Sequence, residues 1–419
     1  MNTIGIRGYA LSSCVAVAML AGCGGSQPSI GAPEAMRQSV RIVDRMAPAS
    51  AYEVLHRFGR GSDGSEPEAG LINVNGTLYG TTSLGGSSHE GTVFSITTTG
   101  KEKVLHSFGG RSQDGTEPAA ALIDVNGTLY GTTSYGGMND DGTVFSIMTT
   151  GTEKVLYSFG RASKDGKYPA AGLIDVNGML YGMTGSGGSG CTKSSGSGCG
   201  TVFSITTRGA EKVLYRFRAG SDGYWPKARL VSVKGTLYGT TTYGGGGCGR
   251  VGCGTVFSVT RTGTEQVLHS FRGGSADGVK PLAGLVDVDG TLYGTTFSGG
   301  ANGYGTVISV TTTGREKLLY SFGSGSEDGE YPEAGLINVN GTLYGTTAYG
   351  GTSGDYGTVL SVTTTGTEKV LYSFGGGDGA YPLAGLINVN GTLYGTTYTG
   401  GSFSCFHHLG CGTVFALTP

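Results

Sequence analysis

Three kinds of side chain in this 419-residue sequence have types and spacings that could do chemistry. The first is cysteine. Six of the eight form local pairs, Cys191 with Cys199, Cys248 with Cys253 and Cys405 with Cys411, each between a Gly-Gly and a Gly-Thr-Val-Phe. Pairs this close in an exported chain predict three disulfides. The last pair also brackets His407 and His408, and two thiolates with two imidazoles could instead take zinc. The sister loops hold paired Cys without His, and that favours the disulfide here too.

The second kind is aspartate. Asp-Gly-x-x-Pro occurs seven times, at Asp63, Asp114, Asp165, Asp222, Asp277, Asp328 and Asp378. Calcium needs six to eight oxygens, and each loop offers one clear carboxylate. The motif therefore reads as a turn in which Asp caps its own backbone and Pro opens the next strand.

The third kind is the set of residues that breaks the pattern. The residue before each motif proline is Glu66, Glu117, Tyr168, Trp225, Lys280, Tyr331 or Tyr381, and Trp225 is the only Trp. Tyr135, Tyr243 and Tyr349 directly precede a Gly in a second loop, and Lys227 and Arg229 add two cations to the fourth repeat. Exposed aromatics at Tyr168, Trp225, Tyr331, Tyr381, Tyr135, Tyr243 and Tyr349 could stack on sugar rings or peptide side chains; the competing role is bracing between neighbouring sheets. His56, His106 and His269 stand where sister repeats have Tyr157, Tyr215, Tyr320 and Tyr372, so they read as packing variants. No Ser/His/Asp set, phosphate loop or His-rich metal motif stands out, so no catalytic residue, cofactor or metal is assigned. Asn75-Gly76-Thr77 fits a glycosylation sequon but reads as a hairpin turn.

These residues sit in a repeat. Units start near Tyr52, Glu102, Glu153, Glu211, Glu265, Glu316 and Glu368, a period of about 50 residues. In the first full unit Ala69–Val74, Thr77–Thr82, Gly91–Thr97 and Val104–Phe108 read as strands, with Asn75-Gly76 as a two-residue hairpin turn. Apolar residues fall on both strand faces, which suits a blade held between two others. The reading is all-β, a seven-bladed β-propeller of four-stranded antiparallel blades. The array opens on a lone outer strand, Glu53–Phe58, and ends on a third strand, Gly412–Thr418; pairing them closes the ring and removes two open edges. Both long loops of every blade then lie on one face, around the channel mouth, where function is expected.

The order of strands and Gly-Gly turns is kelch-like. More specifically, Leu-Tyr-Gly-Thr-Thr (Leu78–Thr82, Leu129–Thr133) followed by Gly-Thr-Val-Phe-Ser (Gly91–Ser95, Gly142–Ser146), repeated seven times, resembles the bacterial GloVer tandem-repeat proteins. Departures are small: Met183 replaces a Thr, Ile308 and Leu360 replace Phe, and Ala416 replaces Ser. The resemblance implies the propeller and names no reaction.

The start of the chain gives an address. Arg7 precedes the apolar run Ala10–Leu20, too short to span a bilayer and suited to a signal peptide. Leu20-Ala21-Gly22-Cys23 looks like a lipobox, which makes 1–22 a leader, Cys23 the lipidation site, and 23–51 a Pro/Gly/Ser-containing tether before a propeller over 52–419. The expected location is the bacterial cell envelope, lipid-anchored and extracytoplasmic, with the membrane as one partner. Net charge is −2 and no basic stripe occurs, which excludes nucleic acid. The expectation is a monomeric binding or scaffold protein for a glycan or protein ligand. The alternative is a kelch-like oxidase or lyase, which needs a convergent acid/base or ligand set at the channel mouth.

Overall fold

The computed structural model describes residues 51–59, 62–191, 198–401, 405 and 410–419. The expected leader, Cys23, the tether, His407 and His408 lie outside the described residues. Seven four-stranded antiparallel sheets are arranged as a propeller, with no helix among the described residues. Blade 1 comprises Ile72–Val74, Thr77–Thr82, Thr92–Thr97 and Glu102–Ser107. Asn75 and Gly76 have φ of 52° and 84°, as a type I′ turn requires, and Asn73 Oδ1 accepts the Gly76 N–H at 2.9 Å.

Ring closure follows the expected pairing. Ala51–Arg57 lies antiparallel on Thr413–Thr418, with Tyr52 opposite Leu417, Val54 opposite Phe415 and His56 opposite Val414. Phe58, which ends this segment, is fully buried among Leu71, Leu78 and Phe94 of blade 1 and Cys411 and Val414 of blade 7. The core is thus a set of layers between blades. Leu-Tyr-Gly belongs to that packing: a Cβ on Gly80 would lie 2.6 Å from Phe94 and 2.9 Å from Leu71.

The inner strand is shorter than the sequence suggests. Only Ile72–Val74 pairs with the next strand. Ala69–Leu71 leaves the ladder because its bonding goes to the neighbouring blade, where the Thr396 hydroxyl donates to the Ala69 carbonyl at 3.2 Å. Equivalent bonds run from Thr81 to Ala120, Thr132 to Ala171, Thr240 to Ala283, Thr295 to Ala334 and Thr346 to Ala384. At the junction of blades 3 and 4 Met183 replaces the threonine, and Arg229 Nε instead donates across to the Leu173 carbonyl at 3.0 Å.

The Asp-Gly-x-x-Pro aspartates act as turn caps. Asp165 accepts backbone N–H groups from Arg161 and Gly166, and Asp328 accepts those of Ser324 and Gly329. Outer-strand tyrosines add to this: Tyr157, Tyr215 and Tyr320 donate to Asp165, Asp222 and Asp328 at 3.0, 2.9 and 2.8 Å, and Tyr372 donates to Asp378. The histidines take the tyrosine packing site as expected, with His106 edge-on to Phe108 at 4.7 Å where Tyr157 meets Phe159 at 5.1 Å.

Beside these pairs lies a feature that the sequence reading missed. Glu102, Glu153, Glu211, Glu265, Glu316 and Glu368 each start an outer strand and bury one carboxyl oxygen without a hydrogen-bond partner. Burial raises all six, Glu153 to about 6 and Glu102, Glu211, Glu265 and Glu368 to about 7. The seventh position is Tyr52, whose hydroxyl donates to the Asp378 carbonyl at 2.8 Å. A carboxyl raised on folding supports the fold fully below its unfolded pKa and loses that support as pH climbs through the folded value. The propeller should therefore melt several degrees higher at pH 5 than at pH 8, although partial exposure discounts each contribution. Replacing Glu102 and Glu211 by Gln should flatten the profile. Calorimetry across pH 5–8 checks this, and a melting temperature that rises with pH contradicts it.

Candidate functional site

The two long loops of each blade are joined to one another, which makes the face that carries them rigid. Gly115–Thr116 pairs with Tyr135–Gly136, Gly166–Lys167 with Ser186–Gly187, and Gly329–Glu330 with Tyr349–Gly350. Blades 1, 4 and 7 use single bridges at the same place, such as Tyr224 with Tyr243.

On this frame the residue before each motif proline adopts an unusual backbone. Glu66, Glu117, Tyr168, Trp225, Lys280, Tyr331 and Tyr381 all have φ between 54° and 59°. Bulky residues avoid this left-handed region, and it persists only where surrounding bonds over-determine it. Here they do. Each N–H donates to a carbonyl of the preceding blade, and each carbonyl accepts from the second loop of its own blade; for Trp225 the partners are the Cys199 carbonyl at 3.0 Å and the Thr242 N–H at 3.2 Å. The seven residues staple neighbouring blades, and four of them, Glu66, Glu117, Tyr168 and Trp225, line one cavity.

The disulfides act on these staples. Cys191–Cys199, Cys248–Cys253 and Cys405–Cys411 all form, with Cα separations of 5.3, 5.2 and 5.3 Å. The second cysteine of each supplies the carbonyl that holds Trp225, Lys280 or Glu66. A loop this short gains only about 2–3 kcal/mol from its crosslink by the chain-entropy model, so rim rigidity is the larger consequence. Since Trp225 is the sole indole, Cys199→Ser should shift its fluorescence emission while leaving far-UV circular dichroism unchanged. Unaltered emission would show that the crosslink does not position the rim.

The structure divides the aromatic candidates into two groups. Tyr135, Tyr168 and Trp225 line one cavity of about 480 Å3 together with Glu66, Glu68, Glu117 and Lys227. Tyr135 and Tyr168 have ring centroids 5.1 Å apart. Trp225 is 37% exposed, stacks on Tyr243 at 5.4 Å and carries Lys227 Nζ 4.5 Å from its own ring centroid. Tyr243 thus backs the indole from outside the cavity. Tyr331, Tyr349 and Tyr381 form the second group, with Tyr331–Tyr349 at 5.8 Å and Tyr349–Tyr381 at 5.1 Å, braced by Phe297, Tyr304 and Tyr356. Tyr349 is 37% exposed, whereas Tyr331 and Tyr381 are half-buried, so bracing and display coexist.

Two carboxyls at the mouth, Glu68 and Glu333, were overlooked in the sequence. The residue after each motif proline is Glu68, Ala119, Ala170, Lys227, Leu282, Glu333 or Leu383. Burial raises Glu68 and Glu333, while the charge of Lys227 draws both back down. Ser83 Oγ also donates to Glu68 at 3.3 Å. Burial raises Glu117 as well, helped by Glu90, Asp140 and Glu66. Two positions further on, the neck of the central channel carries Gly or Ala in six blades and Arg229 in the fourth. Comparing this position across the repeats, rather than scanning for motifs, is the signal that finds Glu68 and Glu333.

A family model described as the Gloeobacter/Verrucomicrobia repeat matches residues 42–251 and 246–419. The chain belongs to this family. No curated protein matches the chain in sequence. Among solved structures the chain is similar to PorZ, a bacterial surface component of the type-IX secretion system of Porphyromonas gingivalis, at 13% identity and a TM-score of 0.51, covering 86% of this chain and 47% of that one. It is also similar to puromycin hydrolase at 13% identity and a TM-score of 0.51, covering 82% of this chain and 52% of that one. A luciferin-regenerating enzyme aligns at 13% identity and a TM-score of 0.41, covering 88% and 95%. The chain spans about half the length of the first two. At these identities the likeness to PorZ and to puromycin hydrolase speaks for the fold alone.

Proposed function

We propose that this family member is a binding protein that takes a glycan or peptide in the channel-mouth cavity, carried on a lipid-anchored chain in the bacterial envelope. One observation carries the reading: an exposed indole is held at strained φ by backbone staples, in a concavity shared with two tyrosines and ringed by carboxyls and an ammonium. Preformed concave sites with aromatic walls and a few placed polar groups are where ligands bind, and aromatic faces stack on sugar rings and side chains. The three disulfides fit an extracytoplasmic protein, and the lipobox at Cys23 supplies the proposed anchor. The test is an array of glycans and peptides followed by titration of each hit against Trp225 fluorescence. A hit that quenches the indole supports the reading. Hits that all leave emission unchanged refute the site.

An enzymatic reading is favoured by one specific feature, the carboxyls Glu68 and Glu333, both raised by burial and both acted on by the charge of Lys227. A carboxyl raised by burial is a better proton donor than an ordinary one at a given pH. If an array ligand is turned over, Glu68→Gln and Glu333→Gln should lower kcat while leaving binding intact.

A further inference from the structure

The junction of blades 1 and 2 differs from its sisters in a way that points to a ligand. At the tyrosine junctions the phenol hydroxyl satisfies the loop aspartate. Between blades 1 and 2 the tyrosine is replaced by His106, and three potential ligands converge: one ring nitrogen of His106 and one carboxylate oxygen each of Asp114 and Glu153 lie within 4.8 Å of one another. His106 Nε2, Asp114 Oδ2 and Glu153 Oε1 are buried atoms without a hydrogen-bond partner. His106 and Asp114 are 9% and 6% exposed. Their separation of 3.4 Å is long for a hydrogen bond. It matches the edge of a tetrahedron with metal–ligand bonds near about 2.1 Å. Asp114 Oδ1 accepts the Gly115 N–H at 2.9 Å, which fixes the carboxylate and leaves Oδ2 to point at the other two.

We propose that His106, Asp114 and Glu153 bind a divalent transition-metal ion, with zinc the best match to one imidazole and two carboxylates. Asp114 and Glu153 also line an open cavity of about 400 Å3 beside the junction, which gives the ion an entry path and room for a water as fourth ligand. Arg111 lies in the same cavity and competes for the carboxylates. The ion would tie the outer strand of blade 1 and the Asp114 loop to the outer strand of blade 2, whereas a Tyr–Asp bond elsewhere joins only strand and loop. The related set His269, Asp277 and Glu316 differs in its aspartate, since the Gly278 and Arg272 N–H groups occupy both Asp277 carboxylate oxygens and leave none free to turn to an ion.

The test is zinc titration by calorimetry on chelator-treated full-length protein, with the thermal midpoint as a second readout. His106→Tyr restores the sister residue and so preserves folding; it should remove one equivalent of zinc and its stabilisation. Glu153→Gln should weaken that equivalent at least about tenfold. His269→Tyr should leave it unchanged. Zinc uptake equal in wild type and His106→Tyr, or lost in His269→Tyr instead, overturns the assignment. Zinc that binds without raising the midpoint of wild type above that of His106→Tyr also overturns it.

Discussion

Deleting residues 51–58 should abolish cooperative unfolding of the propeller. This segment supplies the fourth strand of blade 7 and pairs along its length with Thr413–Thr418. It also carries Phe58, fully buried between the first and last blades, and Tyr52, stacked at 3.8 Å on Tyr372 of blade 6. Truncating Phe58 to Ala alone should cost about 3–5 kcal/mol, a large part of the roughly 5–15 kcal/mol that separates folded from unfolded domains. Losing the whole strand adds an open edge on blade 7, which invites pairing with another chain. Circular dichroism melts and size-exclusion chromatography check this. Phe58→Ala should melt earlier with its single transition preserved, and the deletion should melt broadly and elute at larger size. A deletion variant that melts and elutes like the full chain would mean that the ring is held elsewhere.

Trp225→Ala should weaken binding of an array-identified ligand by about thirtyfold or more. A buried aromatic anchor at an interface is worth about 2 kcal/mol or more on truncation, and 1.4 kcal/mol is about tenfold in Kd. The indole is also organised by its neighbours: Tyr243 stacks beneath it and Lys227 Nζ sits 4.5 Å from the ring, so its loss disrupts a charge-carrying platform. Tyr168→Ala should show a smaller loss from the same cavity. Tyr381→Ala reports on reach, because Tyr381 belongs to the aromatic group outside that cavity. A ligand that spans the mouth loses affinity in both variants, and one confined to the cavity loses it only at Trp225 and Tyr168. Titrations showing Trp225→Ala at wild-type affinity would remove the cavity from consideration.

The repeat by itself determined the architecture. Seven copies of Leu-Tyr-Gly and of Gly-Thr-Val set the blade count, Asn-Gly and Thr-Gly set most of the turns, and the unmatched ends at Glu53–Phe58 and Gly412–Thr418 set the closure. Cysteine spacing was equally legible, because loops of this length bring only local partners together. What lay beyond the sequence was every property that depends on two blades at once. Ala69–Leu71 leaves its strand because a threonine of the neighbouring blade claims its carbonyl. Glu102 and its five counterparts look like exposed strand starts in a linear reading, yet each buries one carboxyl oxygen beside the blade-to-blade loop Asp and the His or Tyr of the preceding outer strand. Trp225 and Tyr168 come from different repeats and meet Tyr135 only because the ring brings three blade rims to one cavity. A tandem repeat encodes each blade locally, so the pattern reveals the unit; burial and charge at a junction are set by pairs of units, and those appear only when the ring is closed.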